Sequence, residues 1–109
     1  MQLRSQNMFT GKEEHKISFK KAQALVKAYQ KNQAKKKVKA LYFSRDAIGK
    51  ILKQKGCLGL RIYYAKKPTG ANTLVMTGVD KKGNDIAKGL LAEFGFPCPP
   101  YCPPDKSII

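Results

Sequence analysis

The sequence predicts an α+β fold: two N-terminal helices packed on a small antiparallel β-meander, then a proline-rich C-terminal tail. Three observations predict it. Apolar residues recur twice at helical spacing in the first half. Two β-type runs, residues 56–65 and 73–79, flank a turn-rich loop. Prolines then crowd the end from Pro97 to Pro104, too densely for helix or sheet. At 109 residues the chain holds one domain. It divides into a flexible arm over 1–14, an α+β domain over 15–95 and a Pro/Cys-rich tail over 96–109.

The elements follow in order. Residues 1–14 are polar and lack periodicity, as a mobile arm does. Ser18 suits an N-cap, its hydroxyl accepting from a free amide of the first turn. Phe19, Ala22, Leu25, Val26 and Tyr29 fall on one helical face and predict a helix from Phe19 to about Lys31. Lys20 and Lys21 stand in its first turn, where the helix dipole disfavours cations by about a few tenths of a kcal/mol. Asn32–Lys39 reads as a solvated, lysine-rich connector, and Val38–Phe43 as a short strand. Ser44 caps a second helix, Asp46 complements its dipole, and Ala47, Ile48, Ile51 and Leu52 form its apolar face. Gly56 suits the left-handed residue that ends it. Gly49 weakens its middle or marks a close contact.

In the first β run Leu58, Leu60, Ile62 and Tyr64 alternate with Cys57, Gly59, Arg61 and Tyr63. In the second, Thr73, Val75, Thr77 and Val79 alternate with Leu74, Met76 and Gly78. The helices are expected on the apolar face. Lys66–Asn72, with Pro68 and Gly70, makes a long hairpin loop. Asp80–Asn84 is a tight turn with Gly83 at positive φ. Asp85–Leu91 fits a short strand or one helical turn equally. The tail is expected to lie extended across the domain, anchored by Phe94, Phe96 and Tyr101.

The formal charge is +15, and residues 1–55 hold 15 of the 22 Lys/Arg but only 3 of the 7 Asp/Glu. Such a field attracts polyanions: RNA, DNA or an acidic lipid surface. The bland counterpart is a solvated lysine surface with no dedicated partner. Binding would fall to Lys20, Lys21, Lys27, Lys31, Lys35, Lys36, Lys37 and Lys39, with Arg61 and Tyr63 on one strand face as a stacking surface. Arginines are few, so sequence readout through guanidinium forks is not expected. No apolar run is long enough to span a membrane. The N-terminus lacks the apolar core of a signal peptide, so the cytoplasm is the expected location.

Several pieces carry a resemblance: His15-Lys-Ile-Ser18, Tyr42-Phe43, Gly56–Tyr64, Gly78–Asp85 and Phe96-Pro-Cys-Pro-Pro-Tyr-Cys102. Together the chain resembles a group of small uncharacterised bacterial proteins with a C-terminal Phe-Pro-Cys-Pro-Pro-x-Cys motif. The resemblance covers most of residues 15–102 and implies membership, but no activity.

Chemistry-bearing sets are sparse. Cys98 and Cys102 have the spacing of half a zinc site, and only Cys57 and His15 remain to complete it. A Cys98–Cys102 disulfide is a further possibility, and geometry decides it. The bland reading makes the cysteines small apolar side chains in a rigid tail. Asp80, Asn84 and Asp85 lack the spacing of a calcium loop and read as turn residues. With one histidine and no paired carboxylates, no acid–base set is visible, and an enzyme is not expected. No cofactor is expected, zinc at Cys57, Cys98 and Cys102 being the alternative. The expected function is a small non-catalytic binding or accessory protein. The alternatives are non-specific nucleic-acid binding and a thiol or zinc site.

Overall fold

A computed structural model describes residues 7–31 and 37–105. Both helices begin at a serine. Ser18 Oγ accepts from the Lys21 amide and Ser44 Oγ from the Ala47 amide, each at 3.1 Å. Helix α1 runs Phe19–Gln30 and helix α2 runs Arg45–Leu52. Strand β1 (Ala40–Tyr42) lies between them. Strands β2 (Gly59–Lys66), β3 (Asn72–Val79), β4 (Leu91–Ala92) and β5 (Phe96–Cys98) follow. Helices with antiparallel sheets make the fold α+β.

The main sheet has the order β2-β3-β4, antiparallel throughout. Cross-strand partners share a face. Leu60/Gly78, Ile62/Met76 and Tyr64/Leu74 make one face; Arg61/Thr77, Tyr63/Val75 and Ala65/Thr73 make the other. Helix α2 packs on the first face, against β2, β3 and β4. Its Ile51 is 1% exposed. The helix sits so close that a Cβ on Gly78 would come within 2.8 Å of Cys57 Sγ and 3.3 Å of Ile51 Cγ2. Glycine at that position is a packing requirement.

Helix α1 departs from the expected packing. None of its side chains is buried, and Phe19, Leu25 and Tyr29 remain exposed. Tyr29, in its last turn, borders a recess of about 330 Å³ with Val38–Leu41 and the β2–β3 hairpin. Toward the tip of that hairpin Ile62 and Tyr64 are exposed, because α2 covers only the other end of the face. Gly49 also departs: nothing lies within 4 Å of a Cβ built there, so it marks no close contact.

The tail is not all extended coil. Strand β5 pairs with β1 in a separate two-stranded ribbon, Ala40↔Cys98, Leu41↔Pro97 and Tyr42↔Phe96. Proline is tolerated there because a two-stranded ribbon has only edges, and Pro97 needs no inward amide. The expected anchors Phe94, Phe96 and Tyr101 are exposed; buried Cys98 ties the tail down instead. Of Asp85–Leu91, only Leu91 falls in a strand, and none of it is helical. Asp85 forms a single bridge to Val79, a turn closes with the Gly89 amide on the Ile86 carbonyl, and β4 follows. Gly83 does take positive φ, 90°, in a turn where Asp80 Oδ1 accepts from the Lys82 and Asn84 amides. Residues 1–6 lie outside the described residues, but the Met8 and Phe9 amides both donate to the Lys81 carbonyl, seating the arm on that turn. Among the described residues no helix is long and apolar enough to cross a membrane.

Candidate functional site

Arg61 and Tyr63 are two residues apart on β2, so both side chains leave the face opposite α2. The bridge at Val79 carries Asp85 to the same place. Asp85 Oδ1 accepts from Arg61 Nη1 at 2.6 Å, and Oδ2 accepts from the Tyr63 hydroxyl. Arg61 Nη1 also donates to the Gly83 carbonyl at 3.0 Å. The Tyr63 hydrogen bond, and then the Arg61 guanidinium, hold the Asp85 carboxyl below its ordinary value. The same carboxylate raises both Arg61 and Tyr63. All three polar groups are mutually engaged. The guanidinium charge is therefore matched locally, while the Tyr63 ring stays half-exposed.

Beside this cluster a cleft of about 590 Å³ separates the arm, at Phe9, Glu13 and His15, from Leu58–Ile62. Glu13 is folded back on its own chain. Its carboxylate accepts from the Thr10 and Gly11 amides at 2.7 and 3.0 Å, and the Thr10 amide is the main cause lowering its pKa. The cleft follows the outer edge of β2. The Gly78 carbonyl accepts from the Ile86 amide, so Gly78 turns its backbone away from β2. Its pair Leu60, and alternately Ile62 and Tyr64, must then direct their amides and carbonyls outward. Among the described residues none pairs with them.

The lysines lie elsewhere. Lys20, Lys27 and Lys31 are seven and eleven positions apart, within about 40° of one another around α1. They oppose its apolar face, and Lys21 flanks them. All four are exposed, as are Lys37 and Lys39. Lys35 and Lys36 lie outside the described residues. The basic stripe and the Arg61–Tyr63 face thus belong to different elements, and α1 makes no packed face with the main sheet.

The cysteines divide as well. Cys98 and Cys102 form a disulfide with Cα atoms 4.7 Å apart, within the ordinary span of such a bridge. The expectation that they pack as separate apolar groups gives way to a bond, because the Pro99-Pro100 turn returns the chain on itself. The Tyr101 amide donates to the Pro97 carbonyl at 2.8 Å in that turn. Cys57 is the free thiol, and its Sγ donates to the Gly59 carbonyl at 3.3 Å under α2. Among the described residues no three His, Cys, Asp or Glu side chains are grouped to hold a metal ion.

One feature escapes the sequence. On the outer face of the β1–β5 ribbon, Tyr42 and Phe96 have ring centroids 5.9 Å apart, and Tyr101 lies 5.1 Å from Phe96. These are ordinary aromatic contacts, yet each ring is more than half exposed, at 58%, 52% and 61%. The available signal was two aromatics bracketing the Cys-Pro-Pro segment; the third ring, from residue 42, needs the ribbon register. Comparison of the chain with protein-family models, with curated proteins and with solved structures returns no match.

Proposed function

We propose that the protein is a small non-catalytic binding module that holds nucleic acid through charge and does not read its sequence. The observation that carries this is α1: a helix with no buried side chain, whose Lys20, Lys27 and Lys31 form one exposed stripe. A helix that does not build the core is free to serve a surface. The formal charge of +15 gives that surface its preference for a polyanion. Internal use of Arg61 by Asp85 agrees with the absence of a base-reading fork.

The reading keeps the chain within the small bacterial group that its Phe96–Cys102 motif resembles. It takes the cytoplasm as the setting, against which the Cys98–Cys102 bond stands, since cytosolic thiols are kept reduced. Trapping the cysteines with an alkylating agent at lysis tests that setting: a labelled Cys98 and Cys102 fits a reducing compartment, an unlabelled pair an oxidising one.

Labelled single- and double-stranded oligonucleotides titrated across a salt series test the function. Affinity should fall linearly on a log–log plot of salt. Changing Lys20, Lys27 and Lys31 together to Gln should reduce the single-strand slope by about 2. Binding absent at low salt, or a slope unmoved by the triple variant, overturns the reading.

A further inference from the structure

We propose that single-stranded nucleic acid stacks its bases on the Tyr42–Phe96–Tyr101 face of the β1–β5 ribbon; this rests on the nucleic-acid reading and sharpens it. Base faces are open in a single strand and hidden in a duplex. Stacking on aromatic rings is how sequence-tolerant single-strand binders add affinity to charge. Three things on this face meet that requirement.

The rings are held in place. Tyr42 and Phe96 are register partners, so backbone pairing fixes their spacing. Tyr101 is fixed by its amide on the Pro97 carbonyl and by the disulfide that brackets it. Rigid rings lose little conformational freedom when a base lands on them. The rings are also open, being tilted 46° and 35° to their neighbours and each more than half exposed. Lastly, positive charge adjoins them. Lys37 and Lys39 lead into β1, and the Lys39 amide donates to the Cys98 carbonyl at 2.7 Å, which ties the backbone of that lysine to the ribbon. Arg45 follows β1 and is exposed. Of the acids in the flanking segments, Asp46 pairs with Lys50 and the Glu93 carboxylate accepts from Thr73.

The experiment uses the full oxidised chain and fluorescence anisotropy of a labelled thymidine oligonucleotide about 15 long, a usual site size. A duplex of the same length is titrated at the same salt. Single strand should bind more tightly than duplex. Tyr42→Ala and Tyr101→Ala should each weaken single-strand binding roughly tenfold with the salt slope unchanged. Tyr101→Phe, which keeps the ring, should retain affinity. Tyr42 and Tyr101 are two of five tyrosines and the chain has no tryptophan, so tyrosine emission should be quenched at saturation. The quench should shrink in the double variant Tyr42→Phe, Tyr101→Phe, which keeps the rings and removes their emission. If an alanine variant loses its far-UV circular dichroism, that difference in quench decides instead.

Salt-sensitive binding that ignores both alanine variants and leaves tyrosine emission unchanged overturns the platform and leaves the charge reading intact. Absence of binding to either nucleic acid overturns both. So does capture of a neutral oligosaccharide, which also stacks on aromatic rings, without capture of oligonucleotides.

Discussion

Helices α1 and α2 start alike and end in different circumstances. Each opens on a serine in extended backbone, with φ, ψ of −76°, 158° at Ser18 and −70°, 157° at Ser44. Each has an apolar face opposite a polar one. Yet α2 buries Ile51 against the main sheet, while Leu25 of α1 is 66% exposed. Their first turns differ too: α2 has Asp46 there and α1 has no acid. Amphipathic patterning makes a helix able to dock, but the sheet decides which helix does. A short turn feeds α2 directly into β2, and Gly78 leaves room beneath it. An isolated helix of 12 residues is marginal in water, so α1 carries charge at the cost of being only lightly held.

Substitutions in the two helices should therefore act on different observables. The largest contrast is Ile51→Ala against Leu25→Ala. The first removes a fully buried side chain and should lower unfolding free energy by about 3 kcal/mol. The second should change it by less than about 0.5 kcal/mol. Chemical denaturation measures both, and equal losses would mean α1 is docked after all.

Removing the caps is the next contrast. Ser44→Ala should cost about 1 kcal/mol of global stability. Ser18→Ala should lower far-UV helical signal and leave the denaturation midpoint in place, because α1 frays without opening the core.

Gly49→Ala runs in the other direction. It fills open space on the docked helix and should stabilise the protein by about 0.5–1 kcal/mol. A loss there would mean a neighbour approaches that surface in solution.

The last contrast emerges only in acid. Asp85 is held below its ordinary value near 3.8 by Tyr63 and Arg61. A depressed carboxyl contributes stability above its unfolded pKa and loses it as pH falls through the lower folded value. The main sheet should therefore weaken below about pH 4, and Glu93, lowered by the Phe94 amide and by Thr73, adds in the same direction. The Ser18 cap does not titrate. Melting temperature followed against pH should show an acid limb that Asp85→Asn flattens. An unchanged limb would assign it to other carboxylates.

Much of the scaffold was legible in the sequence because it is local. Serine caps, the apolar spacing in α1, the alternation in β2 and β3, and the Gly83 turn each depend on residues within a few positions. The β1–β5 ribbon was not legible, because it joins segments more than 50 positions apart through a three-pair register that no local pattern specifies. The aromatic face and the disulfide inherit that difficulty. Arg61 and Tyr63 were visible as a pair, but Asp85 read as a turn residue; a carboxylate ending one turn gives no sign of the strand it will reach. The exposure of α1 was hidden for the opposite reason. Its pattern fits docking well, and nothing local shows that α1 leaves Ile62 and Tyr64 at the hairpin end of the sheet uncovered.

The open edge of β2 carries one more consequence. Outward amides and carbonyls at Leu60, Ile62 and Tyr64 form a template on which a strand from another molecule can zip. Neither a proline nor a lysine guards residues 59–65 of that edge. Its guard is colloidal: every molecule carries the same large positive charge and repels its copies. Salt shortens that repulsion to a few ångströms. Light scattering should therefore rise with ionic strength, so that high salt is the condition that most invites the protein to self-associate.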